Sequence, residues 1–596
     1  MAKKRGNKRK DNRRGGGSSG GSGNSGEAEI SMDAILRNWN WILLGLILIF
    51  GFCLRAYHAD YPVIGYHNWK EMHYLSEARN YAEDGFFANG FLAPEKQTHN
   101  LDTMNHGLHA DTFPAMSIAA GLAFRIFGID VGVARWTSIL FMMGSIILLY
   151  LVVKKLFRRE DLAITAALIA SANPLFVFFG RQVQMINPAL FFGLLSILLY
   201  LMWLESGDAE ESSKLLVLAS LSFMISFLTK YSFALLAIPM LAIFPWKKVL
   251  SNGYLRKNWK QYAYAASSVL LLPLWLLNNK LINDKLGGGG EAGGSILGDI
   301  QMDLSIIFTS DFWGIMKSYA ADNYSLIGVL FAFAGLVLFM SVYTKKRDEG
   351  GFRRGEVFLI AYMIGSIPWF WVMGDKLANH NYHQYPLAPL AIILMAFCFV
   401  VAGATIGNAA RIKGLKWACI AAFFLLLIYP PVLNSMGGIF DAKDRMFDTQ
   451  FIGLDVAGDY VREHSSESEK IFHSGFQSRG FLWHAHRKGW TLPENTSLIK
   501  IGEENHDYKW IFLYKWGLSN LENPSIKEYL ESNYRMAQIG LVRSGSEEGL
   551  APIYILLERG GSFSLENLST SVARSQPRRK DYEFTDGART LHYMNI

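Results

Sequence analysis

A mainly α, polytopic membrane helix bundle followed by an extracytoplasmic α/β domain is the architecture the sequence predicts, on three observations. Of 596 residues, 51% are hydrophobic and 18% charged, where a soluble domain carries about 25% charged residues. Apolar stretches recur at roughly the 17–25 residues a helix needs to cross a bilayer. Beyond residue 435 the composition turns polar, and short β-type runs alternate with helical ones. The mean hydropathy of +0.16 is lower than apolar spans alone would give, as a large polar remainder requires. The absence of a glycine period, only three Cys and abundant Phe exclude collagen-like, disulfide-scaffold and disordered classes. The low charge argues against a soluble multidomain enzyme.

Taken in order, residues 1–34 are expected to form a cytoplasmic tail. Its first fourteen residues, MAKKRGNKRKDNRR, hold eight Lys or Arg and supply much of the net charge of +7. They read as a solvated tail near anionic lipid and not as a nucleic-acid arm. GGGSSGGSGNSG at 15–26 is a flexible linker. No small-residue cleavage site follows the apolar run Trp41–Tyr57, so the first helix is expected to stay uncleaved. Residues 35–434 then carry eleven expected spans, at 39–57, 134–153, 161–179, 187–204, 215–229, 231–245, 262–281, 325–343, 356–373, 386–406 and 415–434. With the N-terminus inside, the clusters Lys154–Arg159, Lys247–Lys260, Lys345–Arg354 and Arg411–Lys416 all become cytoplasmic. That leaves two large segments outside: a loop at 58–133 and the region 435–596. Within the loop, Phe113 to Phe127 is too short to cross and contains Arg125, so an interfacial helix is expected. In the C-terminal region KIFHS, KWIFLY and IYILLE are the strand candidates. Cys53, Cys398 and Cys419 lie in apolar runs and offer neither a disulfide framework nor a CxxC metal site.

Ionisable residues are costly near a membrane, so their clustering in the outer loops carries the chemistry. Glu71 opens a helical pattern (Met72, Leu75, Ala78, Ala82), where a carboxylate serves equally as a cap or as a base. Of fourteen histidines, six fall in the first outer loop (His58, His67, His73, His99, His106, His109) and two, His380 and His383, in NHNYHQYP. Acid/base and phosphate-binding roles fit them. A metal site with Asp102 or Asp111 is a minority reading, since no HxH or HExxH spacing is present. Arg181 and Asn187 in GRQVQMINP and Lys230 in FLTKYSF sit at span ends. Such residues either snorkel or hold a phosphate head group.

The motifs, in order, carry a family resemblance. A long outer loop with an acidic motif precedes TFPAMSIAAGLAFRIFG and VARWTSILFMMGSIILLYLVVKKLF, followed by NPLFVFFGRQVQMINPALFFGLLSILLY, SFLTKYSFALLAIP and NHNYHQYPLAPL. Over about residues 35 to 434 this resembles the GT-C integral-membrane glycosyltransferases of the protein O-mannosyltransferase and aminoarabinose-transferase type. The resemblance implies transfer of one sugar from a polyprenyl-phosphate or dolichyl-phosphate donor to a lipid, glycan or protein acceptor on the extracytoplasmic face. Inversion at the anomeric carbon and a first-loop acidic base are also implied. One subgroup carries an Asp-Glu pair in that loop, in which Glu71 matches the Glu and Lys70 replaces the Asp. The other carries His-x-Trp-Arg-Gln-x-Asp; His67, Trp69 and Lys70 match it, while Glu71 replaces Gln and His73 replaces the Asp. The resemblance therefore implies Glu71 as base, with Asp111 and His73 as further catalytic candidates. It assigns His67, Trp69, Lys70, Arg181, Asn187, Lys230, His380, Tyr382 and His383 to the lipid-phosphate site.

No cofactor is expected. The alternatives are a metal-dependent oligosaccharide transferase of the same fold, or a transporter with charges at mid-span and paired broken helices in two related halves. Neither transporter feature is evident in the sequence. Sequons at Asn323, Asn495 and Asn567 are compatible with exposure outside the membrane.

Overall fold

A computed structural model describes residues 32–87, 93–99, 106–109, 112–206, 210–251, 253–285, 305–347, 353–412, 414–428, 449–475, 478–543, 550–566, 577–584 and 586–596. The described residues of the eleven apolar stretches fall mostly on helix, though not as eleven uniform spans. Five described segments are long and apolar enough to cross a membrane: Trp39–Ala56, Val131–Phe157, Ile186–Ser206, Arg354–Val372 and Asn381–Ala410. A pair bent by 94°, Ser310–Tyr324 with Leu326–Val342, makes a sixth if it is one span. The chain is an integral membrane protein, and its other apolar helices are short or broken.

Each break has a local cause. The stretch expected at 161–179 divides into Glu160–Ala172 and Pro174–Phe178. Pro174 has no N–H to give the Ala170 carbonyl and pushes Asn173 to extended geometry, φ −63° and ψ 127°. Arg55, fully buried on the first helix, fills the gap. It donates to the carbonyls of Ala170 (3.4 Å), Ser171 (2.9 Å) and Phe176 (3.1 Å). The stretch at 231–245 is a 3-10 turn, Tyr231–Leu236, joined to Ala237–Ala242. At about 20 Å, this pair is well short of a bilayer core of about 30 Å. Ser325, at φ 60° and ψ 158°, folds the bent pair. Helices Leu326–Arg347 and Ala388–Ala410 touch at Gly335, where a Cβ would come within 1.8 Å of the Leu394 carbonyl oxygen.

A helix, Ala115–Phe127, lies where an interfacial one is expected from Phe113 to Phe127. Met116, Ala120 and Phe124 turn inward against helix Asn68–Asp84, while Leu122, Ile126 and Phe127 remain exposed.

The C-terminal α/β domain is built on a nine-stranded sheet in the order β2-β1-β4-β3-β5-β7-β6-β9-β8. Its strands are β1 Ala93–His99, β2 His106–His109, β3 Lys470–His473, β4 Gly489–Thr491, β5 Tyr508–Tyr514, β6 Tyr534–Arg543, β7 Leu550–Arg559, β8 Arg578–Phe584 and β9 Gly587–Asn595. Strands β4, β3 and β5 are parallel, and β5, β7, β6, β9 and β8 pair antiparallel. Two strands come from the first outer loop: β1 pairs in parallel with β4 at Thr98 and Gly489. The sheet therefore reaches beyond the expected segment 435–596. Strand pairing joins residues nearly 400 positions apart, and APEKQTH has no apolar alternation to announce a strand.

From Trp510 onwards, past a register shift after Tyr508, period-two alternation divides the core along β5. Trp510, Phe512 and Tyr514 join the core continuous with the membrane bundle. Ile511 and Leu513 point the other way, into a separate core with Ile499, Ile526 and Leu530 from helices Thr496–His506 and Pro524–Asn533. Buried on both faces, β5 reads as the near-continuous apolar run YKWIFLY. Hydrogen bonds that seat the domain on the first outer loop include Phe451 N to Ile64 O (2.8 Å), Gly480 N to Asn68 Oδ1 (3.0 Å) and Val63 N to His484 Nε2 (3.2 Å). Gly480 is required there, since a Cβ would lie 2.3 Å from the Val63 carbonyl oxygen. The Asn323 sequon is a correction: its side chain is buried and donates to Asn381 O and Gln384 Oε1, both at 3.0 Å. Asn495 is exposed, and Asn567 lies outside the described residues.

Candidate active site

Helix Asn68–Asp84 organises the site. Its N-cap, His67, sits in the left-handed region at φ 60° and ψ 27° and makes no side-chain cap. A β-carbon is disfavoured there. The conformation turns the imidazole away from the helix end and into a group of rings. His67 lies 5.0 Å from His380, 5.7 Å from Tyr382 and 6.2 Å from Trp69, between ring centroids. His383 is 4.5 Å from Tyr382 and 6.1 Å from His380. Lys70 Nζ lies over the Trp69 ring at 5.0 Å. The 3-10 segment Asn381–Leu387 that carries Tyr382 and His383 is pinned by Asn323 and by Tyr362, whose hydroxyl donates to Pro386 O.

The electrostatics of this cluster are cationic. Burial, His380 and Lys70 together push the His67 pKa down to about 3. Burial followed by Lys70, Lys230 and Lys376 pushes His380 down to about 4. Both imidazoles are thus neutral at pH 7, chiefly through burial, with Lys70 acting on both rings and Lys230 and Lys376 on His380. The N-terminus of helix Asn68–Asp84 adds its partial positive charge. An anion entering this cluster would meet ammonium groups, helix N–H groups and imidazoles poised to take up protons.

Glu71, one turn into the helix, is buried against Arg135 of helix Val131–Phe157. Arg135 Nε reaches Glu71 Oε1 at 2.9 Å and Nη2 reaches Oε2 at 2.8 Å, and the Val183 N–H also donates to Oε1 at 3.3 Å. Arg135 donates further to Ala59 O at 3.1 Å and to Tyr61 O. Both carboxylate oxygens are engaged, so the pair clamps the helix to its neighbours. His73 lies on the other side, on the stripe of Lys70, Tyr74 and Glu77. Its Nε2 is 2.9 Å from Glu77 Oε1. Glu77 is fully buried, and its Oε2 accepts from the Ser117 hydroxyl at the start of the interfacial helix.

The remaining predicted residues divide. Lys230 joins the cluster from the extended break after Thr229. Arg181 is buried and donates to Tyr57 O at 3.1 Å. Asn187 is buried, donating to Phe179 O (2.8 Å) and Ser138 Oγ (2.7 Å) and accepting from the Tyr385 hydroxyl (3.2 Å). Its amide positions the segment before helix Ala388–Ala410. Asp111, with Asp102, lies outside the described residues. Sequence reasoning missed Arg135, Glu77, Ser117 and Lys376. Lys376 sits four residues before His380, so proximity could have found it. Arg135 could not have been paired with Glu71 across 64 positions. Among the described residues, no group of three or more His, Cys, Asp and Glu is arranged to hold a metal ion.

Comparison with known proteins agrees with this fold. Residues 111–276 match the family model for dolichyl-phosphate-mannose-protein mannosyltransferases. No curated protein sequence matches the chain. The fold is similar to that of the archaeal oligosaccharyltransferase AglB from Archaeoglobus fulgidus, solved with an inhibitory peptide and a dolichol-phosphate. There the TM-score is 0.56 at 13% identity, over 87% of this chain and 74% of that one. It is similar also to ArnT from Cupriavidus metallidurans. The apo structure gives a TM-score of 0.51 at 10% identity over 88% of this chain and 98% of that one. The undecaprenyl phosphate complex gives 0.53 at 9% identity, over 87% and 98%. The fold is that of the GT-C glycosyltransferases.

Proposed function

We propose that the chain is a membrane glycosyltransferase that moves a single sugar from a polyprenyl- or dolichyl-phosphate donor to a lipid, glycan or protein acceptor on the extracytoplasmic face. The carrying observation is the convergence of Lys70, Lys230, Lys376, His67, His380 and His383 with the N-terminus of helix Asn68–Asp84. That set suits the phosphate of a lipid-linked sugar. Its likeness to AglB and ArnT, solved with dolichol-phosphate and undecaprenyl phosphate, supports the same reading. The basic loops at 154–159, 247–260, 345–354 and 411–416 support a cytoplasmic N-terminus, with the site and the C-terminal domain on the opposite side.

In this reading the acceptor oxygen attacks the anomeric carbon from the face opposite the phosphate. The carbon–oxygen bond to phosphate breaks, its electron pair leaves on the lipid phosphate, and the configuration inverts. The lysines and the helix N-terminus stabilise the charge that develops on the leaving group. The acceptor proton passes to His73, with Glu77 holding the ring and balancing the imidazolium. This assignment departs from the one the family motif implies. Glu71, engaged at both oxygens by Arg135, is a positioning residue, and His73 occupies the position of the motif's Asp.

The test is sugar transfer from a polyprenyl-phosphate sugar by the full chain in nanodiscs. His73→Ala is expected to lower kcat by about 10²–10⁴ with donor binding unchanged. Glu71→Gln is expected to retain measurable kcat while lowering the unfolding temperature. Abolished transfer in Glu71→Gln beside full activity in His73→Ala would return the base role to Glu71.

A further inference from the structure

Away from the donor cluster, the C-terminal sheet carries a cleft of about 780 Å³ at the ends of β5, β6, β8 and β9. Lys515, Arg543, Arg579, Arg589 and His592 line it, and among the described residues no acidic side chain does. Arg579 and His592 are direct partners across β8 and β9. His592 also faces Leu541 on β6, two residues before Arg543. Arg589 has a partner in Asp586 at 3.0 Å. Among the described residues, Lys515, Arg543 and Arg579 form no ion pair with a carboxylate. His592 adds a second, independent sign, a buried Nδ1 without a hydrogen-bond partner. Aromatic rings complete the wall, with Phe584 lying under Arg589 at 4.2 Å.

The cleft lies beside the membrane bundle. Its Gln450 accepts from the Tyr61 hydroxyl at 2.8 Å, and Phe451 N donates to Ile64 O. Glu583, next to Phe584, meets His58 at 3.1 Å, two residues past the first apolar helix, Met32–Ala56. The wall is thus tied to the segment that leaves the bilayer. It shares no residue with the cluster around Lys70.

We infer that this cleft is a second anion site, built to bind a phosphate group held by Arg543, Arg579, Lys515 and His592, carried on a phospholipid head group or free in solution. Guanidinium groups suit the fork geometry of phosphate oxygens, and the neutral imidazole adds a donor that becomes a cation when the anion arrives. The site is independent of the transfer chemistry.

The experiment uses the full chain in phosphatidylcholine nanodiscs and follows thermal unfolding. One arm adds phosphatidylglycerol to the nanodisc and the other adds inorganic phosphate. Protection is expected in one or both arms, with half-saturation weakened at least tenfold in Arg543→Gln/Arg579→Gln and unchanged in Lys70→Ala. Protection by phosphatidylglycerol alone identifies a lipid head group, and protection by phosphate alone a soluble ligand. Both arginines are exposed, so the variant should unfold at the wild-type temperature without the anion. If it does not, Lys515→Gln replaces it. Absence of protection in both arms, or equal protection in the variant, overturns the inference.

Discussion

At the scale of the residue, the site is governed by which charges have partners. Arg135 holds Glu71 inside the protein, and removing it leaves a buried carboxylate exposed to nothing that compensates it. Arg135→Ala is therefore expected to destabilise the chain by about 3–5 kcal/mol, read as a fall in unfolding temperature, whereas Glu71→Gln, which keeps a hydrogen-bond acceptor, should cost less. The histidines set a pH dependence. His67 and His380 have folded pKa values of about 3 and about 4 against an ordinary value of 6.5. The unfolded chain binds protons there first, so their contribution to stability is complete above pH 6.5 and is lost as pH falls from 6.5 towards 4. A bound phosphate raises both pKa values and so takes up protons. Affinity for a polyprenyl phosphate should then rise as pH drops below neutrality, and titration of binding from pH 5 to 8 should show a flatter profile in His380→Gln.

At the scale of the element, helix Asn68–Asp84 carries Lys70, Glu71, His73 and Glu77, and the first three were named from the sequence. The motif HNWKEMH placed Glu71 near a helix N-terminus beside Lys70 and His73, but it did not single out Glu77, one turn further on the stripe of Lys70 and His73. What it could not give was orientation: Glu71 lies about 100° round the helix, on the face that meets Arg135, and only tertiary contact decides which carboxylate is engaged. The same limit explains the membrane helices. Apolar length marked where helices lie, but not which are long enough to span, nor where Pro174, Lys230 and Ser325 break or fold them. Arg55 shows how such a break is made tolerable in lipid, where a carbonyl without a donor is costly. Arg55→Leu is expected to lower stability by about 1–3 kcal/mol, measured by unfolding in nanodiscs, with no change in donor affinity.

At the scale of the molecule, the membrane bundle and the C-terminal domain share one core, through Trp510, Phe512 and Tyr514 on one face of β5. A polar C-terminal α/β segment was visible from composition. The contribution of β1 and β2 was not, since no local pattern records a pairing to β4. The seating of the domain on Val63, Ile64 and Asn68 sets the helix that begins at Asn68, so the two parts act together. Gly480→Val, which would collide with the Val63 carbonyl, is expected to reduce transfer at least tenfold while the membrane bundle stays assembled, as judged by unchanged detergent-resistant size. Chelation of divalent ions is expected to leave turnover unchanged.

The most direct measurement is binding of a polyprenyl phosphate to the full chain in nanodiscs, wild type against Lys70→Ala. Charge-assisted contacts of about 1.5–3 kcal/mol predict saturable binding that weakens about 10- to 100-fold in the variant. Absence of saturable binding to the wild type, or equal affinity in Lys70→Ala, would contradict a lipid-phosphate site at the N-terminus of helix Asn68–Asp84.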